Sequence, residues 1–208
     1  MRILLGLVAA TTGRATIDGH RYVDLPSPLH VVGAVVEGVG CHPGRSGRDH
    51  LRVLASTAGI ASGRVDDLLA QVGLHDAADR RVGGYSRGMR QRLGIAAALL
   101  GDPGVLVLDE PANGLDPQGI RWLRRLVRDL AADGRTVLVS SHVLSEMQQT
   151  IDDAVIINRG RLRAAGSIHE LCARAGDDNS LEDVFLRLTT TTSSRAQTAG
   201  DDDQQAHR

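Results

Sequence analysis

The chain has 208 residues, enough for one sizeable domain with a small appendage. Its 24 basic residues, every one an Arg, nearly cancel 25 acidic ones, and the net charge of −1 excludes the basic footprint of a nucleic-acid binder. One Phe, two Tyr and one Trp leave the core to Leu, Val, Ile and Ala, while no apolar run approaches the roughly 18 to 20 residues that span a bilayer.

Cys41 and Cys172 stand alone, without metal-ligand spacing, as suits a reducing compartment. The apolar part of MRILLGLVAATTG is at the short end for a signal peptide, so we read Met1–Ala10 as a helix with Ile3, Leu4, Leu7 and Val8 on one side. It lacks an N-terminal cap, as though its first turn were cut away. A short strand follows at Ala15–Ile17, with a tight turn at Asp18-Gly19. The irregular stretch Pro26–Arg48 encloses a strand, Val31–Val36, that ends at Glu37 and runs into a glycine-rich loop. Helical periodicity resumes at 49–58 and at 65–72, where Leu68, Leu69 and Val72 share a face.

Ser86 is placed to cap a long helix, Arg87–Leu100. Val105–Leu108 is then an uninterrupted apolar run, the mark of a strand buried on both faces of a parallel sheet. It delivers two adjacent acids, Asp109 and Glu110, to the strand end where open α/β sheets place ligands. An amphipathic helix over Ile120–Ala132 stops at Gly134, and a strand at Thr136–Ser141 ends at His142. A short helix, a strand near Ala154–Asn158, an Arg-Gly turn and a further strand come next. Ser167 with Glu170 and Ser180 with Asp183 start two last helices. Residues 189–208, TTTTSSRAQTAGDDDQQAHR, are polar and low in complexity and are expected to be disordered.

The chemistry gathers at the loops that follow these elements. Asp109 can ligate Mg²⁺, Glu110 can act as a general base on water, and Asp116 can turn back towards them through the small residues of PANGLD. Tyr85-Ser86-Arg87-Gly88-Met89 opens a helix, whose free N–H groups attract phosphate. A capped helix start or a solvated strand-end histidine would each be unremarkable alone; their order along the chain is what adds weight.

That order, YSRGMRQR, VLVLDEP, NGLD and VSSH, resembles the ATP-binding cassette family, the nucleotide-binding domains of ABC transporters. The likeness covers about residues 1–189 and implies an α/β, P-loop NTPase-like, mostly parallel sheet with an inserted helical subdomain at about 49–100. It implies ATP and Mg²⁺ as ligands, with Asp109 on the metal and Glu110 and His142 catalytic. Ser86, Gly88, Asp116 and Glu37 would touch nucleotide, the first two on a second cassette bound head to tail. It also implies a transmembrane permease partner and a cytoplasmic place at the inner face of the membrane. Arg87 and Met89 replace the usual Gly and Gln of the signature, and Glu37 replaces a Gln. With HPGRS and LEDVFLRLT, these features are similar to the drug- and antibiotic-exporter branch typified by bacitracin resistance.

One departure is larger. A chain without Lys cannot contain G-x-x-x-x-G-K-[ST], and Gly44-Arg45-Ser46 does not imitate it at the right spacing. We therefore expect residues 1–188 to be a cassette lacking its P-loop portion, with Met1 internal to a longer frame. The coding DNA upstream of Met1 tests this. Loss of the P-loop strand is expected to bare Val105–Leu108, at a cost on the order of 5 kcal/mol, and the chain is expected to aggregate or to bind ATP very weakly. The alternatives are a non-hydrolysing partner that lends only its signature helix, or a soluble cassette ATPase outside transport, for which the length leaves little room.

Overall fold

The computed structural model describes residues 1–36, 40–175 and 180–197. Two compact units divide the chain, the first Met1–Ser141 and the second from His142 onward.

In the first unit the N-terminal residues do not form the expected helix. Leu5 N–H donates to the Met1 carbonyl and Leu7 N–H to that of Arg2, but Gly6 turns left-handed at φ +68° and ends the run. Leu5 is buried, whereas Ile3, Leu7 and Val8, three of the four residues assigned to the apolar side, are exposed. Asp18 and Gly19, both at positive φ, close a two-residue hairpin in which Ile17 and His20 exchange backbone hydrogen bonds. The strand expected at Ala15–Ile17 is reduced to that single bridge.

Helix α1 (Pro28–Val31) leads into β1 (Val32–Val35). Three helices follow, α2 (Gly47–Thr57), α3 (Gly63–Gln71) and α4 (Arg87–Leu99). Ser46 caps α2 by accepting from Asp49 N–H. Arg48 pairs with Asp66 of α3 and with Asp79. These helices bury Leu51, Val65, Leu69, Val72 and Leu93 in one cluster.

Strand β2 (Val105–Asp109), helix α5 (Pro117–Ala132) and strand β3 (Thr136–Ser140) complete the unit. The sheet is parallel throughout, in the order β1-β2-β3, with Leu106 opposite Gly33 and Val137, and Asp109 opposite Ser140. Alternation along β2 sends Leu106 and Leu108 into the cluster shared with α4 and α5, and Val107 into a smaller one with Leu5, Ile17, Val32 and Val36.

The expectation that Val105–Leu108 loses a neighbour is therefore corrected. β2 is paired on both sides, and Leu106, Val107 and Leu108 are at most 1% exposed. Among the described residues the edges of this sheet are β1 and β3, and it is β3 whose Leu138 is left 42% exposed.

The second unit contains α6 (Leu144–Met147), the antiparallel pair β4 (Asp153–Asn158) and β5 (Arg161–Ser167), α7 (Ile168–Ala175) and α8 (Leu181–Gln197). Both expected helix starts form: Glu170 N–H donates to Ser167 Oγ, and Asp183 N–H to Ser180 Oγ. Helix α8 carries on to Gln197, so the polar tail expected to be disordered from 189 begins as helix, and 198–208 lie outside the described residues. No helix among the described residues is long and apolar enough to cross a membrane.

Candidate active site

The candidate site is built at the carboxyl ends of β2 and β3. Asp109 is the last residue of β2 and Ser140 the last of β3, so in a parallel ladder they meet side by side on one face. Ser140 Oγ donates to Asp109 Oδ1 at 2.5 Å. The Glu110 N–H donates both to Ser140 Oγ at 3.0 Å and to the Ser140 carbonyl at 3.2 Å. Glu110 itself sits at φ +49°, a left-handed conformation that costs a non-glycine residue on the order of 1 kcal/mol or more unless its surroundings hold it. Buried Pro111 follows, and Asn113 N–H and Leu115 N–H close successive turns onto the carbonyls of Glu110 and Ala112. Asp109 and Glu110 are both partly buried, which keeps them reachable from solvent.

The second part of the site is the start of α4. Ser86 accepts from Met89 N–H at 3.1 Å and caps the helix, as its sequence position implies. Tyr85 anchors the turn before it: the ring is buried and the hydroxyl donates to the Ala77 carbonyl at 2.6 Å. Burial holds that phenol above its ordinary pKa. Gly88 lies against the loop after β2, where an added Cβ would come within 3.1 Å of the Gly114 carbonyl oxygen. Gly114, at φ +82°, is covered in turn by the Arg87 side chain. Ser86 to Met89, Arg92, and Gly114 to Asp116 line an open cleft of about 270 Å³. Arg92 stacks over the Trp122 ring at 4.5 Å, tying α4 to α5 beneath it.

Asp116 has a structural task the motif did not reveal. Its Oδ1 accepts from Gly119 N–H at 2.6 Å and caps α5. His142 is the first residue of the second unit and is exposed. Glu37 lies outside the described residues. The structure thus brings Asp109 to Glu110, and Ser86 and Gly88 to the Asp116 loop. Ser140, which touches both acids, carried no motif signal beyond its place two residues before His142.

Among the described residues no group of three or more His, Cys, Asp or Glu could hold a metal unaided. Magnesium nonetheless fits Asp109. It takes hard oxygen ligands, keeps several waters and is ordinarily bound by one or two carboxylates together with substrate phosphates. Asp109 offers one such carboxylate, with Oδ1 held by Ser140 and Oδ2 not engaged by another described residue.

A three-stranded parallel sheet covered by helices, with paired acids at the end of its central strand, defines an α/β protein of nucleotide-binding type. The ABC transporter family profile matches residues 1–113. The chain is 42% identical over 165 residues to the bacitracin transport ATP-binding protein BcrA of Bacillus licheniformis, covering 78% of this chain and 54% of that protein. It is 36% identical over 162 residues to the lantibiotic transport ATP-binding protein SrtF of Streptococcus pyogenes, covering 78% of this chain and 70% of that protein. A solved ATP-binding subunit of an ABC transporter superposes with a TM-score of 0.80 at 26% identity, over 90% of this chain and 80% of that one. The chain belongs to the ABC transporter family. It spans 54% of the length of the B. licheniformis relative and 60% of the Bacillus subtilis relative YdbJ.

Proposed function

We propose that the chain is the ATP-binding and ATP-hydrolysing part of an ABC exporter of antibiotics, drugs or similar compounds, working with a membrane permease and a second cassette. The observation that carries it is the pair of acids at the end of the central strand, joined to β3 through Ser140. The names of the bacitracin and lantibiotic relatives support the class of cargo.

In this reading Asp109 would hold Mg²⁺ and Glu110 takes a proton from the attacking water. Ser86, whose hydroxyl hydrogen is not used by its capping bond, and the backbone about Gly88 donate to the terminal phosphate of a nucleotide on the second cassette. His142 adds a hydrogen bond to the terminal phosphate of the nucleotide on which Glu110 acts, and Asp116 positions the loop between the two cassettes. When bound, magnesium neutralises charge that builds on the phosphoryl oxygens during transfer.

With no Lys in the chain, the lysine that helps to cradle the phosphates in a P-loop is not present. The 208-residue protein alone is therefore expected to bind ATP weakly, and calorimetric titration with ATP and Mg²⁺ should show no submicromolar site. Phosphate release should fall by at least about a hundredfold in Glu110→Gln, the loss of one general base; hydrolysis at the unchanged rate would remove Glu110 from the mechanism.

The fully formed cap of α4 favours a second reading, a partner that supplies only its signature helix to a complete cassette. The two separate cleanly. Mixed with a complete cassette, a signature-only partner keeps its effect in Glu110→Gln and loses it in Ser86→Ala.

A further inference from the structure

A single hydroxyl touches both acids of the site. Ser140 Oγ has one proton and two lone pairs, and the structure commits the proton to Asp109 Oδ1 and a lone pair to the Glu110 N–H. The direction of the hydroxyl is not adjustable. An N–H can be met only by the oxygen, which leaves the O–H to point at the carboxylate. Asp109 is thereby fixed in rotation with Oδ1 occupied, and Glu110 is held by a forked bond in a backbone conformation it would not adopt unaided.

We propose that Ser140 is the positioning residue of this site: it aims Asp109 Oδ2 at the divalent cation and fixes the turn that carries Glu110. The proposal rests on the nucleotide-hydrolysis reading above. It also accounts for a feature of β3. Thr136, Leu138 and Ser140 share a face, yet on the Leu138 side that face is open. A hydroxyl placed there for packing alone would gain little; placed opposite Asp109, it joins the two acids.

Paramagnetic broadening tests this on the ¹⁵N-labelled 208-residue protein titrated with Mn²⁺ in the presence of excess ATP, which supplies the phosphate ligands, and is read at the amides of Asp109, Glu110 and Ser141. Ser140→Ala is expected to need about tenfold more Mn²⁺ for equal broadening, and Ser140→Thr, which keeps the hydroxyl, to need no more than about twice the wild-type amount, as expected for a partner that orients a ligand. Hydrogen exchange at the Glu110 amide should speed up in Ser140→Ala while that at Leu106 and Val107 is unchanged. Should Ser140→Ala fail to fold, Ser140→Cys, nearly isosteric but a poor donor, takes its place. Equal Mn²⁺ dependence in wild type and the alanine or cysteine variant, or no rescue by threonine, overturns the positioning role alone. Broadening that is absent in wild type, or that survives in Asp109→Asn, overturns the metal reading and the proposal with it.

Discussion

Strands β2 and β3 are each five residues long, run the same way and share one ladder, yet they meet different surroundings. β2 is flanked on both edges and covered on both faces. β3 has Val137 and Val139 against the helical cluster and Leu138 open on the other face. VLVL and TVLV would be read almost alike from composition; place in the sheet separates them. The comparison also moves the liability of this chain. An exposed apolar edge strand can recruit other chains, so any tendency to aggregate would be expected at β3 and not at the acid-bearing strand.

The largest test of that contrast is Leu106→Ala against Leu138→Ala. Leu106 is 1% exposed between two strands, and its truncation should cost about 2 to 5 kcal/mol, as for a buried leucine whose cavity cannot collapse. Leu138→Ala should cost on the order of 1 kcal/mol or less, since much of that side chain already meets water. Urea titrations of the two variants measure this, and equal losses would mean that the open face of β3 is covered in solution. Leu138→Lys sharpens the same point. It should raise the soluble fraction in light scattering, because a charged residue on an edge strand opposes pairing between chains.

Next in size is the start of α4. Ser86→Ala removes the acceptor for Met89 N–H and should cost about 1 kcal/mol of stability. Ser86→Asp keeps the cap but places a negative charge where phosphate is proposed to bind. A variant that restores stability while abolishing the effect on a complete cassette would separate the capping task of Ser86 from its ligand task.

Much of this was readable beforehand, for local reasons. Ser86 at the start of α4 and Gly134 at the end of α5 were legible because caps and left-handed stops are set by neighbouring backbone groups alone. The run Val105–Leu108 was legible as a doubly buried strand because nothing else tolerates such a stretch beside two acids. What failed was non-local. Periodicity reports that a residue is buried, not which strand lies beside it, so the identity of the edge strands could not be read. The Met1–Ala10 pattern matched a helix, but three of the four residues of its expected face are exposed and Gly6 leaves the helical region. Ser140 stayed invisible because its meaning depends on parallel register with Asp109, thirty-one residues earlier.

The two strands are also joined at both ends by side chains, and the joint at the amino-terminal end depends on pH. At the amino-terminal end Arg135 donates to Asp102 and to the Pro103 carbonyl, while Arg64 donates to Asp102 and to the carbonyls of Leu99 and Leu100. The hydrogen bond from Arg135, with Arg64 close by, holds the Asp102 carboxyl below its ordinary pKa against the opposing effect of burial. A carboxylate whose folded pKa is depressed contributes stability that is present above the unfolded value, near about 3.9, and is lost as pH falls through the folded one. Asp102 is 58% exposed, so water screens the pair and the contribution should stay below about 1 kcal/mol. Asp102→Asn, which keeps the left-handed backbone at φ +55° accessible, should thus be slightly less stable than wild type at pH 7 and indistinguishable from it once pH has dropped below the folded pKa. Urea midpoints measured from pH 7 down to pH 3 follow this convergence. A gap that stays constant over the whole range would mean that Asp102 acts through its turn and not through the two arginines.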